Sequence, residues 1–422
     1  MGEKLTQIYD PTRPESDKER AEQLFPIFIH RQPIGAERRF DTLLMVNGTV
    51  GALAEISRKL GFRAVAIDEA YTGKKEEKLE EVVKRQIEFA LSQGKEPVVC
   101  CSVLMYNAKE SLELLRNLKE EYGSRIRTVV GGQLVSIVPQ AYLKRAFIDQ
   151  VAVGDAEVIL ESILVGRQQF AEGYINPQTD HYSQVGYQDY LGFPDRLNAM
   201  RQVTLGPLTC IGMATIESVR SCSWAYRRGR RCRFCALQGM ECEPHFTPFE
   251  EHFRHQTYLA DEFGVNWIFD VSNLWVPTQN KEEAIQWLGD YNAAREQYGA
   301  PLLKKYAYLN TVSINKDTAP LLRQAGIAIG FVGIDGWNEE TLRRHGKAGG
   351  VKHIFDALEA AQKNDLYLRA NVVMGDGLSE KSLAELPEFL KGVIQYGSHI
   401  LSIGCYFELL LPGSQLWGEF KE

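Results

Sequence analysis

Residues 214–235 read ATIESVRSCSWAYRRGRRCRFC: a short run rich in β-branched residues, then Cys222, Cys232 and Cys235. The run is the first of six. VNWIFDV (265–271), KYAYLNTV (305–312), IAIGFVGID (327–335), LYLRANVVMG (366–375) and HILSIGCYFE (399–408) follow, separated by segments whose apolar residues recur three and four apart. Strands alternating with helices build a parallel sheet, and six β/α units instead of eight imply an open barrel with a lateral mouth. Ligands are then expected at the carboxyl ends of the strands. Helix starts are signalled by Thr247-Pro248-Phe249-Glu250, with a capping residue, Pro and Glu in order, and by the cap-to-Glu spacing of Asn280 and Glu283.

A second alternating stretch lies upstream. DTLLMVNG (41–48), FRAVAID (62–68), EPVVCCSVL (96–104), RIRTVVGG (125–132) and IDQVAVGD (148–155) read as strands. GALAEISRKLG and AKESLELLRNLKEEYG read as helices, each closed by a glycine able to take the left-handed conformation. This predicts an α/β chain with an N-terminal Rossmann-like, doubly wound domain and a partial (β/α)6 barrel. The expected boundaries are an N-terminal extension over 1–40, the first domain over 41–165, a connection over 166–212, the barrel over 213–412 and a short tail over 413–422.

Composition bounds the function. The 422 residues are 44% hydrophobic and 24% charged, as in a folded globular protein, and a net charge of −7 argues against general nucleic-acid binding. No apolar run of 18 residues suggests a membrane span, and MGEKLTQIYDPTRPESDKER has no signal-peptide core, so a cytoplasmic, reducing location is expected. There, eight cysteines read as buried thiols or metal ligands. Three thiolates on the loop after the first barrel strand can hold three irons of a cubane and leave the fourth open for a ligand. The alternative is a structural zinc site drawing a fourth ligand from Cys242, Cys210 or His245. A triad of Cys232, Cys235 and Cys242 also remains open.

The three-cysteine loop, with Cys232-Arg233-Phe234-Cys235 flanking an aromatic residue, resembles that of the radical S-adenosylmethionine (SAM) superfamily, and more closely its subgroup with an N-terminal cobalamin-binding domain. Its C-x9-C-x2-C spacing departs from the usual C-x3-C-x2-C in the long first gap. The resemblance implies a 4Fe–4S cluster on Cys222, Cys232 and Cys235, with Phe234 against the SAM adenine. Gly333-Ile334-Asp335-Gly336, followed by Leu342 and Lys347, is similar to the fourth-strand segment whose acidic residue holds SAM. Met374-Gly375-Asp376-Gly377 is similar to the fifth-strand glycine turn, and Asp270 and Asn273 end the second strand where polar groups face SAM or substrate; Asn273 also reads as a helix cap. Val129-Val130-Gly131-Gly132-Gln133 and Gly154-Asp155-Ala156-Glu157 resemble the cobalamin-binding domain, which implies Ser102, Gly131, Gly132, Gln133 and Gly154 as cobalamin contacts. Asp68-Glu69-Ala70-Tyr71-Thr72-Gly73 carries Ala70 where a cobalt-ligating histidine would stand, so no histidine from 41–165 is expected on cobalt. His30, His181 and His353 read as ordinary surface or core residues.

The resemblance implies methyl transfer to an unactivated carbon of a small molecule or peptide, with cobalamin, SAM and the cluster as cofactors and flavodoxin or ferredoxin as electron donor. Rearrangement, cyclisation or other SAM-fragment transfer, with cobalamin non-methylating or absent, is the alternative. A non-catalytic iron–sulfur or cobalamin carrier is an alternative of another class. Arg227, Arg228, Arg230, Arg231 and Arg233 read as a solvated face, a counter-charge for the cluster, or a docking patch. The chain ends ten residues after Pro412, so the substrate is expected to be small or recognised by the two domains.

Overall fold

A computed structural model describes residues 15–31, 48–69, 78–166, 168–173, 203–205, 208–210, 213–226, 232–239, 244–277, 280–347, 349–375 and 378–421. The chain divides into two compact units, Met1–Ala199 and Met200–Glu422.

The first unit is built on a parallel sheet of β1 (Leu24–His30), β2 (Val65–Asp68), β3 (Glu96–Ser102), β4 (Arg127–Gly131), β5 (Gln150–Gly154) and β6 (Phe170–Gly173). Their spatial order is β2-β1-β3-β4-β5-β6. The order reverses between β1 and β3, which pair from Leu24↔Glu96 to His30↔Ser102. Such a switch point opens a crevice outside the carboxyl ends of the strands. The helix Ala108–Tyr122 buries Ser111, Leu115, Leu118 and Tyr122 at helical spacing and stops at Gly123, whose φ is 57°.

Three expectations change here. Leu24–His30, placed by sequence in the N-terminal extension, is a fully buried strand in the middle of the sheet. Its unbroken apolar run suits a strand covered on both faces, and Pro26 costs only one ladder donor. Gly48 starts the helix Gly48–Lys59, while 41–47 of the expected strand DTLLMVNG lie outside the described residues. Phe170–Gly173, expected in the connection, is the edge strand β6.

The second unit opens with an antiparallel hairpin, β7 (Val203–Leu205) and β8 (Leu208–Cys210). Its main sheet comprises β9 (Met213–Ile216), β12 (Trp267–Asp270), β13 (Lys304–Asn310), β14 (Ile327–Gly333), β15 (Tyr367–Met374) and β16 (Ile400–Phe407), all parallel and in chain order. Successive strands laid side by side with every helix on one face are the mark of a barrel, here with β9 and β16 as open edges. Between them, β10 (Val219–Arg220) and β11 (His245–Phe246) form a short antiparallel pair.

One core joins the strands to their helices. Ala307, Leu309, Val332, Leu368, Ala370 and Val372 pack with Ile354, Ala357, Leu358 and Ala361 of the helix Val351–Lys363. Each buried Leu or Ile contributes about 1.5–3 kcal/mol. Asn280 caps the helix Lys281–Gln297 by accepting from the Glu283 N–H at 2.8 Å, as its spacing predicts. The helix Phe249–Phe263 has Pro248, not Thr247, at its cap position, and the Thr247 N–H donates to the Ser218 carbonyl at 2.9 Å.

Candidate active site

The cysteine loop follows β10, not the barrel strand directly. Ser221, at φ 69°, turns the chain into Cys222, and a short helix over Ser223–Tyr226 leads away from it. Cys232 and Cys235 close a tight turn through a Cys235 N–H to Cys232 carbonyl bond of 2.9 Å. Burial pushes the Cys235 thiol up to about 12, with the neighbouring Cys232 adding to the shift. Burial raises Cys222 too, and Cys232 again contributes. Cys222 and Cys235 are thus each influenced by Cys232, which sets the three sulfurs in one neighbourhood. Among the described residues, no three Cys, His, Asp or Glu side chains close on a single metal ion. A cubane places its three thiolates on three different irons, so it does not require such convergence.

The turn His345-Gly346-Lys347 braces this loop at both halves. Trp224 Nε1 donates to the Gly346 carbonyl at 3.4 Å, and the Arg233 N–H donates to the His345 carbonyl at 3.2 Å. The His345 ring meets Phe234 edge-on at 5.6 Å. Its Nδ1 bonds the Asp335 carbonyl and its Nε2 lies 3.2 Å from Glu408 Oε1. Lys347 pairs with Asp335 and lies 5.6 Å from the Phe234 ring centroid.

Arg233 is an internal anchor. Its guanidinium reaches Glu419 at 2.6 Å and Glu408 at 3.5 Å with 13% of the side chain exposed, which does not suit a docking patch. Arg227, Arg228, Arg230, Arg231 and Cys242 lie outside the described residues.

The residues expected to hold SAM divide. Phe234 stands at the loop, half-buried. Asp335, at φ 57°, also stands there, but its carboxylate is engaged by Lys347. Asp270 is fully buried and accepts from the backbone N–H and hydroxyl groups of both Ser218 and Ser272. Three of these bonds fall on Oδ1 and one on Oδ2, so Asp270 ties Ser218 and Ser272 together from within the core and is spent chiefly on the protein's own groups. Gly375 ends β15 where a Cβ would collide with Glu408 and stand 3.1 Å from His345 Nε2; the protein's own packing accounts for the glycine. Asn273 is exposed in a bend and caps no helix.

Sequence reading missed two rows on the barrel face turned away from the helices. Tyr308, Phe331, Arg369 and Ser402 are register partners across β13 to β16. Arg369 lies 5.9 Å from the Tyr306 ring and 6.0 Å from Phe331, and donates to Ser402 Oγ and Tyr306 OH, each at 3.2 Å. One step nearer the carboxyl ends, Asn310, Gly333, Asn371 and Gly404 form a second row of half-buried, small or polar residues. Period-two alternation is the signal that could have separated these rows from the helix-facing residues.

In the first unit, Ser102, Gly131, Gln133 and Gly154 are half-buried at the carboxyl ends of β3, β4 and β5. Gly132 has φ 100° and Gly154 φ 90°. A Cβ on Gly132 would point at Val103 and Ser102, so this glycine shapes the loop instead of clearing room for a ligand. Two further residues complete the rim. Buried Asn107 donates to the Arg31 carbonyl at 2.9 Å and the Ser102 carbonyl at 3.3 Å, tying β1 to β3 across the switch point. Ser136 Oγ accepts the Gly154 N–H at 2.9 Å, tying β4 to β5. Met105 and Tyr106 are exposed on the same rim, as an apolar platform for a flat ligand requires.

No protein-family model matches the sequence, and no curated protein matches it. Solved structures do match. A cobalamin-dependent SAM radical enzyme, OxsB with aqua-cobalamin bound, superposes with a TM-score of 0.66 at 16% identity over 88% of this chain and 52% of its own. The radical SAM methyltransferase TsrM from Kitasatospora setae, with cobalamin and a 4Fe–4S cluster bound, gives 0.64 at 14% identity, over 94% of this chain and 77% of its own. The fold is that of the cobalamin-dependent radical SAM enzymes. This chain spans about half the length of OxsB. Among the described residues, no helix is long and apolar enough to cross a membrane.

Proposed function

We propose that the chain is a cobalamin-dependent radical SAM enzyme that transfers a methyl group to an unactivated carbon of a small molecule or peptide. The observation that carries the reading is that Cys222, Cys232 and Cys235 stand on one loop at the carboxyl side of the barrel, braced by Trp224 and Arg233 against the His345-Gly346-Lys347 turn. The fold match supports it, since OxsB and TsrM were solved with cobalamin and TsrM is a methyltransferase.

In this reading the three cysteines hold the cluster, Phe234 lies against the SAM adenine, and Ser102, Gly131, Gln133 and Gly154 receive cobalamin, with Gly132 fixing their loop. When bound, the cluster would supply one electron to SAM, and cobalamin would carry the methyl group. The chain's own residues position and shield. Trp224, His345 and Phe234 hold the loop and limit water, while the row Asn310, Gly333, Asn371 and Gly404 leaves space for substrate above the aromatic row. The proposed domains are a cobalamin-binding unit and a barrel, the electron donor is flavodoxin or ferredoxin, and the setting is the cytoplasm.

Anaerobic reconstitution with iron, sulfide and cobalamin, followed by metal counts and Mössbauer spectra, tests the cofactor assignment. One 4Fe–4S cluster and one cobalt per chain are expected, with the cluster lost in Cys222→Ala, Cys232→Ala and Cys235→Ala and kept in Cys242→Ala and Cys210→Ala. A cluster lost in Cys242→Ala and retained in Cys222→Ala overturns the ligand set, and zinc in place of iron overturns the function.

A further inference from the structure

Arg233 sits between Cys232 and Cys235 and is held by segments remote in sequence. Its N–H donates to the His345 carbonyl at 3.2 Å, and its own carbonyl accepts the Leu416 N–H at 3.1 Å. Its guanidinium reaches Glu408 through Nη1 at 3.5 Å, and Glu419 through Nε at 3.0 Å and Nη2 at 2.6 Å. Leu416 and Glu419 both belong to the helix Gln415–Lys421. The Cys232–Cys235 turn is therefore tied to a helix whose Glu419 lies 186 residues downstream of Arg233.

That helix is itself fixed. Gly413, at φ 86°, turns the chain after Pro412. The buried Ser414 accepts the Trp417 N–H on its Oγ at 3.1 Å and donates the same hydroxyl to the Leu411 carbonyl at 2.7 Å. Leu416 is buried. One turn before Glu419, Gln415 Nε2 donates to Glu419 Oε1 at 2.9 Å and so aims Oε2 at Arg233. Glu408 ties the same guanidinium back to the barrel, since its N–H donates to the Met374 carbonyl at 2.8 Å and its side chain is 3% exposed. A single ion pair with a partner as open as Glu419, 42% exposed, contributes little by itself. Here a two-pronged guanidinium bond, a main-chain bond and a buried leucine act on one turn together, and such groups couple.

Resting on the function proposed above, we infer that the helix Gln415–Lys421 is a latch on the cluster-bearing turn, with Arg233 and Glu419 as the positioning pair that closes it. A cluster leaves its protein when a thiolate-bearing turn opens. Arg233 cannot move away with Cys232 or Cys235 until its bonds to Glu419 and Leu416 break. The hydrophobic core of the barrel contains none of the latch residues, so the latch acts on retention of the cluster and not on the barrel fold. Arg233, read from sequence as part of a solvated face, a counter-charge or a docking patch, holds the loop shut in this account.

The test uses the full-length chain in two states. In the cofactor-free chain, Glu419→Gln and Arg233→Gln are expected to raise amide hydrogen exchange over residues 232–239 while the urea unfolding midpoint stays at the wild-type value. In the reconstituted chain, each should speed the loss of iron to a ferrous-iron chelator by about 3–10-fold. Arg233→Lys, which keeps the charge and loses the planar fork, should fall between wild type and Arg233→Gln. The double variant Glu419→Gln/Arg233→Gln should lose iron no faster than Arg233→Gln alone, because both substitutions break one pair. Glu419→Gln changes a helix position open to solvent and serves if Arg233→Gln does not load. Wild-type exchange and wild-type iron loss in Glu419→Gln, or multiplying effects in the double variant, overturn the latch. Wild-type chain that takes up no 4Fe–4S cluster refutes the proposed function instead, and the exchange measurement then decides whether the helix holds the turn.

Discussion

Gly132 and Val103 approach so closely that a Cβ on the glycine would stand 2.9 Å from the Val103 carbonyl oxygen and 3.0 Å from its nitrogen. The glycine is also held at φ 100°, a conformation that side chains disfavour. Gly132→Ala is therefore expected to destabilise the first unit by about 2–4 kcal/mol with or without cobalamin. Urea unfolding of the cofactor-free chain checks this. An Ala variant as stable as wild type that nonetheless fails to bind cobalamin would return Gly132 to the ligand surface.

Asp270 receives its bonds from Ser218 and Ser272 while fully buried. Asp270→Asn turns an N–H toward donors, and the expected cost is about 2–4 kcal/mol in the barrel unit. In the folded fraction, SAM affinity measured by equilibrium dialysis should be unchanged. A stable Asn variant with weakened SAM binding would mean that Asp270 contacts SAM after all.

Two buried histidines make the barrel unit sensitive to acid. Burial pulls His255 down to about 4 and pushes His252 well below its ordinary value, with Lys305 lowering the latter further. Both histidines are neutral in the native state, so the unfolded chain binds more protons as pH falls below about 6.5. Stability is fully present above that pH and declines toward pH 4, by about 3 kcal/mol for His255. His255→Gln should flatten the decline in unfolding midpoint between pH 6.5 and 4. An equally steep profile would contradict the assignment.

His30 ends β1 beside Ser102, outside the span 41–165 in which the sequence excludes a cobalt ligand. It is 3% exposed, and its ring lies 6.5 Å from that of Tyr106. Its burial against Tyr106 suits a core residue. The Co(II) form of the cobalamin-loaded chain is expected to show no nitrogen superhyperfine splitting in electron paramagnetic resonance. Splitting that disappears in His30→Ala would identify His30 as the ligand.

The six barrel strands and the cysteine loop were legible because apolar runs, helix periods and cysteine spacing are local signals. β1 was missed because LFPIFIH carries Pro26 and runs into the charged stretch RQPIGAERRF, so no local signal marks its partnership with β3. Asp270 and Gly375 were read as ligand contacts because sequence cannot show that Ser218, Ser272, Glu408 and His345 already occupy their surroundings. Asn107 acts through a tertiary neighbour far away in sequence, the Arg31 carbonyl 76 residues from it. Arg369 needed the strand registers before its row could be recognised.

Radical chemistry on SAM is tested most directly by anaerobic incubation of the reconstituted, cobalamin-loaded chain with SAM and reductant. 5′-Deoxyadenosine and S-adenosylhomocysteine are both expected, dependent on the cluster and reduced to background in Cys222→Ala, Cys232→Ala and Cys235→Ala. 5′-Deoxyadenosine alone would favour rearrangement, and S-adenosylhomocysteine alone would indicate polar methyl transfer. A chain that carries its full cluster and cobalamin yet forms neither product contradicts the account.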